Sequence, residues 1–145
     1  MLEQIFLVKQ DVEKYRMLTV IKSLPPREVN LSNISSRLHF TYQKTYNIFQ
    51  ALLEDLADVA PDIDSSDTKI ESIDFSKISI DTFRLYLVKN SVVFQAFNYG
   101  LTSANPSFEN FSNEHFTSKS TLNRRMTKFR AFLKKLWLKN FQFNA

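Results

Sequence analysis

TSKSTLNRRMTKFRAFLKKLWLKN, residues 117–140, carries eight cations (Lys119, Arg124, Arg125, Lys128, Arg130, Lys134, Lys135 and Lys139), and no Asp or Glu follows Glu114 anywhere in the chain. Leu122, Met126, Phe129, Leu133 and Leu136 recur at spacings of four, three, four and three. That rhythm sets them along one side of a single helix and sends the cations elsewhere. One side suits a core and the remainder suits an anion. Just upstream, SFENFSNEH (107–115) predicts a short helix, and Phe116-Thr117-Ser118 is a tight connection. The pair has the proportions of a helix-turn-helix, in which the second helix enters a DNA major groove.

The rest of the composition agrees with a helical fold. A chain of 145 residues that is 43% hydrophobic and 14% aromatic can bury a core. One Gly and four Pro are too few for sandwiches, barrels or glycine-rich phosphate loops, which need many positive-φ turns. The absence of Cys removes disulfides, thiolate zinc sites and thiol nucleophiles. No apolar run approaches the roughly 18 to 20 residues that cross a bilayer, and the N-terminus does not read as a secretory signal. A cytoplasmic, non-membrane protein is expected. The net charge of +4 is unevenly spread: residues 1–114 hold eleven Lys/Arg against fifteen Asp/Glu, whereas residues 115–145 hold eight Lys/Arg and no acid. Focusing positive charge on one surface is how a nucleic-acid reader attracts a polyanion.

Taken in order, Asp11 to Leu24 predicts a first helix, ended by Pro25-Pro26, and Leu31, Ile34 and Leu38 mark a second, capped by Asn30 or Ser32. After a turn at His39-Phe40-Thr41, a third helix runs from Tyr42 to Val59, and Pro61 prevents its continuation. Residues 54–81 carry nine acids against Lys69 and Lys77. Within this run, Ile73 and Phe75, then Ile78 and Ile80, alternate with polar residues and predict the two short strands of a wing. Asp81 is the expected cap of one long helix from Thr82 to Thr102 that joins the two halves. Phe141-Gln142-Phe143 alternates like the first strand of a second wing.

The halves repeat. HFTYQKTYN (39–47) and HFTSKSTLN (115–123) match at His, Phe, Thr, Thr and Asn with an offset of 76. The expected fold is mainly α with small β-wings: two tandem winged helix-turn-helix units, residues 1–80 and 81–145.

The sequence also resembles the Mga-type virulence transcription regulators of Gram-positive bacteria, the group that includes RofA-like and AtxA-like proteins. The resemblance lies in DTFRLYLVKNSVVFQAFNYGL (81–101) followed by SFENFSNEHFTSKSTLNRRMTKFRAFLKKL (107–136), with its Ser-x-Ser-Thr-Leu-x-Arg-Arg pattern from Ser118 to Arg125. It implies N-terminal helix-turn-helix units that bind double-stranded promoter DNA. It further implies phosphotransferase-system-like regulatory domains downstream, to which nothing in these residues corresponds. An N-terminal DNA-binding fragment is the expectation, with self-association as a homodimer.

Residues at the start and exposed face of a recognition helix reach base edges, while flanking hydroxyls and cations hold phosphates. In the second unit these are Thr117, Ser118, Lys119, Ser120, Thr121, Arg124, Arg125 and Lys128. Thr117 or Ser118 can equally serve as helix cap. Arg124 and Arg125 suit bidentate pairing with guanine, or one of them a phosphate. In the first unit the equivalents are Thr41, Tyr42, Gln43, Lys44, Thr45 and Asn47, of which only Lys44 is cationic. Auxiliary DNA contact and structural support both stay open there. His39 and His115, without Cys or a carboxylate cluster, make a poor metal site and suit packing or capping. Neither catalysis nor a cofactor is expected. The other reading is a winged-helix protein-interaction module whose basic helix docks an acidic partner without reading bases.

Overall fold

The computed structural model describes residues 2–63 and 69–141. Asp64 and Asp67 of the acidic run and the Gln142-Phe143 end of the second expected wing lie outside the described residues. Among the described residues there are seven α-helices: α1 Lys9–Ser23, α2 Leu31–Leu38, α3 Tyr42–Val59, α4 Ile80–Lys89, α5 Val92–Thr102, α6 Phe108–Glu114 and α7 Lys119–Phe141. The chain divides into two compact units, Val8–Leu87 and Met1–Leu7 with Val88–Ala145.

In the unit spanning Val8–Leu87, α1, α2 and α3 pack pairwise. Their 3–4 spacing delivers Met17, Leu18 and Ile21 from α1, Ile34 and Leu38 from α2, and Ile48, Phe49, Leu52 and Leu56 from α3 to one core. Each of these side chains, fully buried, contributes about 1.5–3 kcal/mol. Asn30 caps α2 by accepting from Asn33 N, and Thr41 caps α3 by accepting from Lys44 N. Lys14, almost wholly buried, reaches both Asp11 (2.8 Å) and Asp55, tying α1 to α3. Burial alone would lower the Lys14 pKa, but hydrogen bonds and charge from the two carboxylates outweigh it and hold the ammonium above its ordinary value.

The expected wing is absent: among the described residues there is no strand. Single 3-10 turns at Ile70–Ser72 and Phe75–Lys77 occupy the segment instead. The reason is burial on one side. Ile70, Ile73, Phe75 and Ile78 are all buried, at spacings of three, two and three, which a period-two strand cannot point in one direction. Lys22 Nζ donates to the carbonyls of Phe75 and Ile78, and Asp74 accepts from Ser76 N, so local partners satisfy the backbone that a ladder would have used.

The expected continuous helix over Thr82–Thr102 is likewise two helices. Ser91 breaks it: its Oγ donates to the Val88 carbonyl and accepts from Phe94 N, and so both closes α4 and caps α5. At the other end of α4 the cap is Ser79, whose hydroxyl accepts from Thr82 N, while Asp81 pairs with Arg84 at 2.6 Å.

Tyr86 on α4 donates its hydroxyl to Asp58 of α3 at 3.0 Å. Burial first, and then this bond to a carboxylate, push its pKa up from 10.0 to about 12. The folded value exceeds the unfolded one, so the stabilisation from this phenol is complete below pH 10 and fades as pH rises from 10 to about 12. Absorbance titration of tyrosinate should therefore show one of the five tyrosines ionising late. Tyr86→Phe should abolish that late component; its persistence in the variant would assign it elsewhere.

In the other unit, α5 and α6 pack on α7, and residues 2–5 form a 3-10 turn against α7. Phe129 is the hub. Its ring meets Phe6 at 5.5 Å and Phe97 at 5.1 Å, and Phe6 in turn meets Phe94 edge-on at 6.2 Å. Val93, Phe111, Leu122 and Phe129 are buried.

Candidate nucleic-acid interface

Both units contain a helix, a tight turn and a longer helix, and the turns are built alike. In the first, His39 takes a left-handed backbone (φ 57°) at the end of α2, and Phe40 N donates to Ser35 O. In the second, Phe116 is left-handed (φ 52°) after α6, and Thr117 N donates to Ser112 O. Each is a six-to-one closure that ends a helix and reverses the chain. The structural correspondence between the units runs at 77, not at the 76 of the literal sequence match. Cap Asn30 corresponds to Ser107, cap Thr41 to Ser118, and left-handed His39 to Phe116. Fully buried Thr45 corresponds to Leu122, and Ile34 to Phe111. The short polar residues that match at 76 recur in any capped turn, whereas burial fixes the true register.

That one-residue correction redistributes roles along α7. Ser120 stands where Gln43 stands in the first unit, Thr121 where Lys44 stands and Arg124 where Asn47 stands. Arg125 corresponds to Ile48, which is buried. Arg125 is accordingly half-exposed, whereas Arg124 and Lys128 are exposed. With Leu122 and Phe129 inward, helical geometry places Ser120, Arg124, Thr127 and Ala131 on the opposite, outward side, flanked by Lys128 and Lys135. Thr127 is not legible as a site residue because it carries no charge and lies past the first turn of the helix; its hydroxyl donates to the Asn123 carbonyl.

The start of α7 is organised by hydroxyls. Ser118 Oγ accepts from Thr121 N at 3.2 Å, donates to Thr121 Oγ1 at 2.8 Å and lies 3.3 Å from Ser120 Oγ. Thr117 Oγ1 donates to the His115 carbonyl. Ser118 therefore caps the helix and Thr117 braces the turn. His115 stacks on Phe111 at 4.0 Å, with Nδ1 3.1 Å from the Phe111 carbonyl, which is a packing and capping role. Lys119 faces Glu109 at 3.8 Å, with both side chains well exposed. Arg130 donates to Asn123 Oδ1 at 2.6 Å and lies over the Phe108 ring. Among the described residues, Arg124, Arg125 and Lys128 have no carboxylate partner. Together with Ile5, Phe6, Leu7, Val92 and Val93 they line a concavity of about 290 Å³.

The corresponding face of α3 is engaged within its own unit. Lys44 pairs with Glu13 at 2.7 Å and sits 4.0 Å from the Phe40 ring centre, and Gln43 Nε2 donates to Asn47 Oδ1 at 3.0 Å. Thr41 caps the helix and Thr45 is buried. Tyr42 and Tyr46 are the large apolar side chains exposed on that helix.

Phe116 is 96% exposed in a backbone conformation that costs a non-glycine residue about 1–2 kcal/mol. Phe116→Gly should relieve that strain at the expense of greater freedom in the unfolded chain, for a net gain of up to about 1 kcal/mol. Chemical denaturation checks the sign; a loss of stability would mean that the ring makes contacts which hold the turn.

No helix among the described residues is long and apolar enough to cross a membrane. No group of three or more His, Asp or Glu is placed to hold a metal among them. Neither a curated protein nor a solved structure matches the chain. Residues 76–143, which take in α4 to α7, match the family model of the Mga helix-turn-helix domain, and this match supports a fragment of a Mga-type DNA-binding regulator.

Proposed function

We propose that α7 lies in the major groove of a promoter duplex and reads it in a sequence-specific way, with Ser120, Arg124 and Thr127 toward the bases. Lys119, Thr121, Arg125 and Lys128 face the sugar-phosphate backbone, and Thr117 and Ser118 hold the helix start. The observation that supports this reading is that, among the described residues, Arg124, Arg125 and Lys128 have no carboxylate partner, on a helix whose opposite side is core. A guanidinium with no internal partner keeps both donors for guanine O6 and N7. The first unit, with Lys44 committed to Glu13 and Gln43 to Asn47, supports the second without reading bases. The functional division falls near residue 80, with base readout after it. The same reading includes a cytoplasmic location, pairing of two copies on DNA, and phosphotransferase-system-like regulatory domains in the full-length regulator.

Selection from a random duplex pool, then titration of the selected and a scrambled duplex at equal salt, tests it. The expected preference is about a thousandfold or more. Equal affinity for both duplexes would overturn it.

A further inference from the structure

The concavity beside α7 has the makings of a phosphate site. Arg124, Arg125 and Lys128 line it, and the segment Ile5 to Leu7 and the first turn of α5 complete it. Among the described residues, no acidic side chain is in the lining and none of the three cations is neutralised by a carboxylate. Three cations at positions i, i+1 and i+4 that leave each other unpaired around a hollow repel one another, and an anion in the hollow relieves that repulsion. The walls on the other side are apolar and packed: Leu7 and Val93 are buried, and Phe6 is held between Phe94 and Phe129. A low-dielectric wall strengthens an ion's attraction to the cations opposite. Val92 and Val93 open α5, where the capping hydroxyl of Ser91 takes Phe94 N, so the N–H groups of Val92 and Val93 stay outside the intrahelical ladder. Both residues line the concavity, so their amides report on what enters it.

We infer that this concavity binds one phosphate group, held by Arg125 and Lys128. It clamps the DNA backbone beside the groove in which Arg124 reads a base. The inference depends on the DNA reading only for the source of the phosphate. Arg125 is thereby a positioning residue and not a specificity residue.

The test uses the whole chain. Amide chemical shifts of Val92 and Val93 are followed while inorganic phosphate, or duplex DNA, is titrated into the wild type, Arg125→Ala and Arg125→Lys. In parallel, affinity for selected and scrambled duplexes is measured across salt concentrations. Expected are amide shifts in wild type that Arg125→Ala abolishes and Arg125→Lys largely retains. Arg125→Ala should also weaken both duplexes by the same factor and reduce the salt slope by about one. Shifts with duplex assign the phosphate to the DNA backbone; shifts with inorganic phosphate alone assign it to a small phosphorylated ligand, and either outcome upholds the site. If neither probe moves these amides, or if Arg125→Ala changes neither shifts nor slope, the site does not exist. A wild type that shows the shifts but no preference between duplexes would sink the promoter-reading proposal and leave the phosphate site standing.

Discussion

Arg124→Ala should weaken binding to the selected duplex by about 1–3 kcal/mol while changing affinity for scrambled duplex much less. Arg124 is exposed on the outward side of α7 and unpaired among the described residues. Its loss leaves a base edge without a partner and requires no rearrangement of the core. In the first unit the double change Lys44→Ala with Asn47→Ala should cost far less. Lys44 is already neutralised by Glu13 at 2.7 Å, and a cation so committed releases few counterions from DNA. Titration at fixed salt compares the two variants. A loss as large for the pair on α3 would show that both units share the reading.

The second large effect concerns stability. Phe129→Ala removes a ring, 4% exposed, from between Phe6 and Phe97, and large-to-small changes of this kind cost about 3–5 kcal/mol. Because Phe129 is on the same helix as Arg124, DNA binding should fall with the fold of this unit and return on addition of anything that restores it. The comparison is Leu133→Ala, one turn further on at 41% exposure, where about 1 kcal/mol or less is expected. Denaturant titration resolves the difference. A cost at Leu133 equal to that at Phe129, and growing with protein concentration, would mean that a second copy covers the apolar seam of Leu133 and Leu136.

These two residues mark where sequence reading succeeded and where it failed. The stripe Leu122, Met126, Phe129, Leu133, Leu136 correctly gave a helix with one apolar side, since periodicity depends on local geometry alone. It could not tell that cover ends near Phe129, leaving Leu133 and Leu136 exposed, because cover comes from residues far away in the chain. The helices from Leu31 and from Tyr42 begin where their spacing predicts, and Asn30, Thr41 and Ser107 cap as short polar residues before apolar runs should. The β-wing failed for the opposite reason. Alternation over Ile73, Phe75, Ile78 and Ile80 was read as period two, yet the buried set includes Ile70 and leaves Ile80 at the start of α4. Ser91 gives no sign of a helix break in the sequence, because the apolar residues on either side of it keep a helical rhythm. At the candidate site, the cluster of cations was legible from charge alone. Its internal division was not: assigning Arg125 to a backbone role needed the register of 77, and the contribution of Ile5 to Leu7 needed the fold.

The claim that base readout lives on α7 is tested most directly by a base-preference profile. Each position of the selected duplex is changed in turn, and affinity is measured for wild type, Arg124→Ala, and Gln43→Ala with Asn47→Ala. Arg124→Ala is expected to flatten the profile at one or two adjacent base pairs and to leave the others intact, while the changes on α3 leave the whole profile as it was. A profile unaltered by Arg124→Ala but flattened by the α3 changes would contradict it.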